Sequence, residues 1–385
     1  MIKEFLKISV FCAAILSVGA AFGVRHVGFQ TDAFNRAFPA SYAESIVFSP
    51  GAFEIDCAII AESLETIPKA KVSERMGVLL SFENTYGPIV EYFASVSNGV
   101  SLVSARGFCV NEPRKAPSAH RQFLQRVYRT EVMQAYPEFG AQSWFRTTMD
   151  GRMEDFALPN RKMPIGKYSY YDLLSINFGW AEPFPTDNTR KVVFHRQPND
   201  QGEPVECLSD VRVAEGWIGP FYTLLKLPMK DGAWFYAMMP HEDRTLEDIR
   251  RDLLSTSIDR VLTITKSVTE KGVFNGPCAI VLPKIKIVSR VDFMKILGAA
   301  EFSVPTTDLK LIAGSEAREC VQVISYVLNE QGPGEKPLKA KDEDEVVAIN
   351  ETTPKLIFNR PFIFFVYHEK TGTVPVAGQF CGGNQ

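Results

Sequence analysis

Apolar residues recur at helical spacing through the first part of the chain and in strand-like runs through the second. Residues 31–38 place Phe34 and Phe38 one turn apart. Over 50–66, Phe53, Ile55, Ala58, Ile59, Ile60 and Leu64 make an apolar face that predicts a helix. Residues 72–93 and 118–136 predict two more, the second carrying Phe123, Val127 and Val132. Between them 99–110 alternates like a strand. Downstream, 170–178, 223–227, 234–239, 278–288, 320–328, 356–367 and 373–380 are rich in β-branched and aromatic residues and predict strands. Shorter helices are expected over 246–255, behind Thr245, and over 291–297, behind Ser289. Helices followed by strands, without β-α-β alternation, predict an α+β domain.

Two stretches break this pattern. Residues 332–353 are rich in Gly and Pro, then heavily charged, and lie between two strong strands. A polar segment of that length inside a compact domain is usually functional or disordered. At the N-terminus, 8–24 carry no charge, follow Lys3 and Lys7, and contain the small residues Gly19-Ala20. Residues 1–20 therefore read as a signal peptide, which makes the protein secreted or periplasmic. The alternative is a membrane anchor formed by 8–24.

Composition narrows the function classes. Hydrophobic residues are 45% of the 385 and charged residues 23%, which excludes a wholly disordered or multi-span chain. With 42 Lys+Arg against 45 Asp+Glu there is no basic excess to track a phosphate backbone, so no nucleic-acid partner is expected. Beyond Cys12, the cysteines 57, 109, 207, 278, 320 and 381 stand singly. Export permits disulfides among them, the sequence does not choose a pairing, and small buried thiols are the other reading. The five histidines are scattered, and no nucleophile elbow, HExxH, P-loop or GxGxxG motif occurs. Neither an enzyme nor a metal or small-molecule cofactor is expected.

The C-terminal run is the most specific feature. Phe358-Asn359-Arg360-Pro361-Phe362-Ile363-Phe364-Phe365, then Lys370-Thr371-Gly372-Thr373 and Val376-Ala377-Gly378-Gln379-Phe380, predict two adjacent strands joined by a tight turn. This run resembles the signature of the serpin family. Ser45–Pro50, Tyr128–Val132, Trp144-Phe145, Trp180–Phe184, Leu282–Ile285 and Asn329–Gly332 resemble further serpin motifs in the same order, over roughly residues 27–381. The resemblance implies a monomeric α+β serpin domain over 25–382, with three β-sheets, about nine helices and an exposed reactive-centre loop at 332–354. In inhibitory members a serine protease cuts this loop, becomes acylated, and is carried off as the loop inserts into the large sheet as a new central strand.

The resemblance assigns the loop's hinge to Glu330, Gln331, Gly332, Pro333, Gly334, Glu335, Lys336 and Pro337. Inhibitory relatives begin insertion with Thr or Ser and then small residues. Pro has no N–H and is confined to strand edges and starts. If position 333 faces inward, Pro333, Glu335, Pro337, Lys339, Lys341 and Glu343 all face the core, with Glu335 able to pair with Lys339. The expectation is a loop that does not trap proteases. The alternative is a suicide-type serine endopeptidase inhibitor. Family spacing places the bait among Val346, Val347, Ala348, Ile349 and Asn350, of which Val346-Val347-Ala348 suit an elastase-like protease; Lys339 and Lys341 suit a trypsin-like one but sit too early for full insertion. The resemblance also pairs Glu330 with Lys284 above Trp180. It places Ser49, Ala52, Asp172 and Gln322 in the polar network that helps the large sheet open, with Ala52 for a Ser, Asp172 for an Asn and Gln322 for a His. A half-satisfied network is the expected consequence.

Overall fold

The computed structural model describes residues 28–38, 44–78, 81–97, 99–134, 141–153, 164–197, 200–267, 270–299, 302–312, 314–333, 335–336 and 354–383. The chain opens with helix α1 (28–37), strand β1 (Ile46–Phe48) and helices α2 (Pro50–Glu62), α3 (Thr66–Arg75) and α4 (Phe82–Tyr92). Strands β2 (Val96–Ser97) and β3 (Val100–Val110) lead to α5 (Ser118–Tyr128), β4 (Thr130–Gln134), α6 (Ala141–Met149) and β5 (Lys167–Phe178). The second half supplies β6 (Arg190–Phe194), β7 (Glu203–Ile218), β8 (Tyr222–Pro228), β9 (Ala233–Pro240), α7 (Leu246–Ile264), β10 (Val273–Pro283) and β11 (Ile285–Asp292). It closes with α8 (Met294–Leu297), β12 (Thr307–Leu309), β13 (Gly314–Leu328), β14 (Lys355–Ile357), β15 (Phe362–His368) and β16 (Thr373–Phe380).

Local chemistry explains where the pattern misplaced boundaries. The helix expected over 118–136 stops at Tyr128, because Arg129 turns left-handed at φ 52°, and Thr130–Gln134 then pairs with β3 as a strand. The helix expected over 72–93 is two helices, and Ser81 caps the second through its hydroxyl. The strand expected over 356–367 breaks at Arg360-Pro361 into β14 and β15. Helix α7 runs past Ser255 to Ile264 with a kink at Ser257. The long strand β7 was not expected, since its charged positions 203, 206, 210, 212 and 215 interrupt the apolar signal.

Helix α2 departs furthest from an amphipathic reading. All thirteen of its residues are buried, including Glu54, Asp56 and Glu62. Ser49 caps it and Pro50 opens it. A helix buried all round must satisfy its polar side chains internally. Glu54 accepts from Gln30 at 2.8 Å and Tyr86 at 2.9 Å, and Asp56 accepts from Tyr170 at 2.8 Å.

One hydrogen-bonded network runs β1-β16-β15-β9-β8-β7-β10-β14, with β6 beside β7. It divides at β7. Residues 203–207 pair with β6 and 207–217 with β10, while only 215–218 pair with β8. The other network is the large sheet β11-β13-β5-β3-β2, to which β4 and β12 add. The result is three sheets and, among the described residues, eight α-helices in an α+β arrangement. The cysteines at 57, 109, 207, 278, 320 and 381 are all free and buried, so the small-thiol reading holds.

Candidate functional site

The site is the seam of the large sheet between β5 and β13. The two strands run parallel and pair from Glu316↔Lys167 to Val327↔Asn177, with one irregularity between Ala317 and Glu319. The seam is therefore closed along its length. A strand added here would be central and would need backbone partners on both sides.

At the top of the seam the chain leaves β13 and is fastened residue by residue. The Trp180 indole, buried between Phe184 and Phe235, donates to the Asn329 carbonyl at 2.8 Å. The Glu330 carbonyl accepts from the Phe184 N–H at 2.9 Å. Its carboxylate lies 3.3 Å from the Lys284 ammonium and accepts from the Thr189 hydroxyl at 2.6 Å. Lys284 also lies 3.2 Å from Glu206. Burial opposes the charged form of Glu330, but Thr189 and Lys284 outweigh it and hold the carboxyl below its ordinary value. Burial likewise opposes the Lys284 charge, and Glu330 and Glu206 hold it above its ordinary value. The pair read from the resemblance is thus present, with Trp180 beside it.

The hinge then turns sideways. Gly332 donates its N–H to Glu335 Oε2 at 2.6 Å, and the Pro333 carbonyl accepts from the Gly99 N–H at 3.0 Å. Glu335 lies 3.0 Å from Lys230. Lys339, expected to pair with Glu335 in an inserted strand, lies outside the described residues, as do Gly334, Pro337, Lys341, Glu343 and the bait residues Val346–Asn350. Val100 pairs with Phe178, so Gly99 and Gly179 face each other just beyond the ends of β3 and β5. The hinge crosses the end of β5 and docks on the β3 side, away from the seam. This crossing needs glycine. A Cβ on Gly179 would come within 2.6 Å of Glu335 Oε2, 2.7 Å of the Gly332 Cα and 2.9 Å of the Gly99 carbonyl. Lys230 is presented by the turn Lys230–Gly232, in which Asp231 is left-handed at φ 60° and is held by Lys370 and by the buried His368. His368 in turn stacks on Tyr92 of α4, with ring centroids 3.9 Å apart.

Halfway down the seam, Gln322, Asp172 and Arg106 form one row across β13, β5 and β3. Gln322 Nε2 donates to Asp172 Oδ2 at 3.1 Å and to the Ser49 carbonyl at 3.3 Å, and its Oε1 accepts from the Ser49 N–H at 2.6 Å. The Ser49 hydroxyl accepts from the Ala52 N–H at 3.2 Å. The glutamine amide is therefore engaged at both ends, while Asp172 Oδ1 finds no hydrogen-bond partner among the described residues, so the network is satisfied only in part. Sequence reasoning missed the other half. Arg106 Nε lies 3.2 Å from Asp172 and 3.5 Å from Asp56, and all three side chains are at most 1% exposed. An arginine inside an otherwise apolar strand and an aspartate inside an apolar helix were the signals available.

The arrangement offers no nucleophile paired with a base. No group of three or more metal-ligating side chains occurs among the described residues. No helix among them is long and apolar enough to cross a membrane, and residues 8–24 are not among them.

A family model described as serpin (serine protease inhibitor) matches residues 28–382. Plasminogen activator inhibitor 1 of Sus scrofa is 21% identical over 376 residues, spanning 91% of this chain and 90% of that protein. Among solved structures, uncleaved ovalbumin superposes with a TM-score of 0.76 at 15% identity, covering 94% of this chain and 100% of its own. Human thyroxine-binding globulin gives 0.75 at 13% identity, covering 95% of this chain and 99% of its own. These structural likenesses concern the fold. The family match runs from the first described helix to the residues after β16, and the chain belongs to the serpin family.

Proposed function

We propose that this serpin presents its loop, residues 332–354, to serine proteases or to a binding partner without trapping the protease by insertion. The observation that carries the reading is the docked hinge: past the end of β5, Pro333 is bonded to Gly99 and Glu335 is paired with Lys230, while the Gly332 N–H donates to Glu335. Insertion must break these contacts first. It must then place Pro333, which has no N–H, in a central strand, where each unmade buried hydrogen bond costs about 1–3 kcal/mol. The role is binding or sacrificial cleavage rather than enzymatic turnover, by an exported monomer. Elastase-like proteases would cut within Val346–Asn350 and trypsin-like ones at Lys339 or Lys341. Likeness to uncleaved ovalbumin and thyroxine-binding globulin accords with this reading through the fold they share.

A second reading, the suicide-type inhibitor with bait near Val346–Asn350, draws on Glu330, Lys284 and Trp180, which keep the family's arrangement above the seam. The experiment that separates the two is thermal melting of the purified protein before and after one cut within 338–350, with both fragments retained. An unchanged melting temperature, and no covalent complex with elastase-like or trypsin-like proteases, is expected. A large upward shift in melting temperature would establish insertion and hand the case to the second reading.

A further inference from the structure

The row beneath the hinge holds an imbalance of charge. One guanidinium, Arg106, faces two carboxylates, Asp56 on α2 and Asp172 on β5. All three are sealed from water, and three elements meet there. Arg106 Nε is at ion-pair distance from both acids but hydrogen-bonded to neither, and Arg106 Nη2, Asp56 Oδ2 and Asp172 Oδ1 find no hydrogen-bond partner among the described residues. With both acids ionised, a net negative charge would sit in the core, where an uncompensated charge is expensive and neutralises instead. Two carboxylates crowded on one site resolve this by keeping one proton between them.

We propose that Asp56, Asp172 and Arg106 form a proton-locked latch, in which one proton retained by the two carboxyls keeps α2 fastened to β3 and β5 beside the Gln322 bridge. The other groups around the latch do not supply that neutralisation. Tyr170 on β5 already donates its hydroxyl to Asp56. β13 contributes the uncharged Gln322 and the buried thiol of Cys320; beyond it, Asp292 on β11 adds negative charge near that thiol. Helix α2 adds Cys57 and the carboxyl of Glu54, which is turned to Gln30 and Tyr86. Phe93 covers Arg106 from α4's end, 5.8 Å from its ring. Burial, and then the Asp172 charge, push the Asp56 carboxyl well above the ordinary carboxylate range.

The sign follows. The native state keeps a proton that the unfolded chain releases near the ordinary aspartate value, so the latch favours the fold in acid and loses strength as pH rises. Of the strands it ties, β5 borders the seam that an inserting loop would part, so that border is held most firmly at low pH and less firmly toward alkaline pH.

The test is equilibrium unfolding of the whole chain, wild type against Asp56→Asn, across about pH 5.5 to 8.5. The unfolding constant of the wild type should climb relative to the variant by up to about tenfold per pH unit, until the proton is lost. Taking the difference removes His120 and His368, which burial holds below the ordinary histidine value and which act in the opposite direction. A difference that stays flat with pH overturns the proposal. If Asp56→Asn does not fold, the infrared spectrum decides. Wild type at neutral pH should show the C=O stretch of a protonated carboxyl, and Asp172→Asn should lose it, because a lone Asp56 beside Arg106 ionises. No such band in the wild type, or a band that persists in Asp172→Asn, overturns the latch.

Discussion

The top and the middle of the same seam are fastened by opposite means. At the top, Lys284 and Lys230 are 27% and 33% exposed and pair with carboxylates at the rim. In the middle, Arg106 and its two acids are sealed. Exposed or half-exposed ion pairs contribute about 0–1 kcal/mol, because water competes for both partners. Removing one partner from a buried set costs several times more, because the remaining charge cannot recover its hydration. The hinge is thus held by contacts that are individually weak but numerous, and the sheet beneath it by one cluster that tolerates no loss. The top sets how readily the hinge moves; the middle sets whether the sheet holds at all.

The sharpest way to break this contrast is Arg106→Met. It leaves Asp56 and Asp172 facing each other without a cation, and should cost about 3–5 kcal/mol in denaturant-induced unfolding. A cost below that of changes at the hinge would erase the distinction between the two fastenings. Next in size is Gly179→Ala. The added Cβ strikes the Gly332 backbone and the Glu335 carboxylate, so the hinge must lift, at about 1–3 kcal/mol for an overpacked contact. Limited proteolysis around residues 330–341 should then become faster, and an unchanged cutting rate would show that the crossing is not tight. The smallest effect is expected from Lys230→Met. Global stability should fall by less than about 1 kcal/mol. The Gly332 amide, whose acceptor Glu335 loses its cation, should nevertheless exchange its hydrogen faster. Slow exchange in that variant would mean that Glu335 is held by the backbone alone.

How much was legible in the sequence follows from how local each signal is. The hairpin β15–β16 was readable because its aromatics and its turn are contiguous, and it forms with Phe364 opposite Gly378 and Phe365 opposite Ala377. The Glu330–Lys284 pair was readable only through the family resemblance, since nothing in the spacing of the two residues joins them. Glu335 was singled out as a charge that an inserted strand would bury. Its contact with Lys230 was not readable, because only the fold brings Lys230, just past the end of β8, beside residues 179–181. Asp56 and Arg106 were passed over for the same reason. Each looks like a lone polar residue in an apolar run, and their relation exists only once α2 is laid across β3 and β5. Polar residues inside apolar runs are therefore better treated as claims on a distant partner than as interruptions.

One contact made by the hinge also limits how the protein can be re-engineered. Gly99 bonds the carbonyl of Pro333, not its ring. Every amino acid brings that same oxygen. Repairing the hinge toward a Thr at 333 would return a missing donor to the loop and still leave the tether tied. A design aimed at converting this chain into a trap must therefore work on the receiving side, at positions 99, 179 and 230, as well as on the loop, where Glu335 holds Lys230 and Gly332.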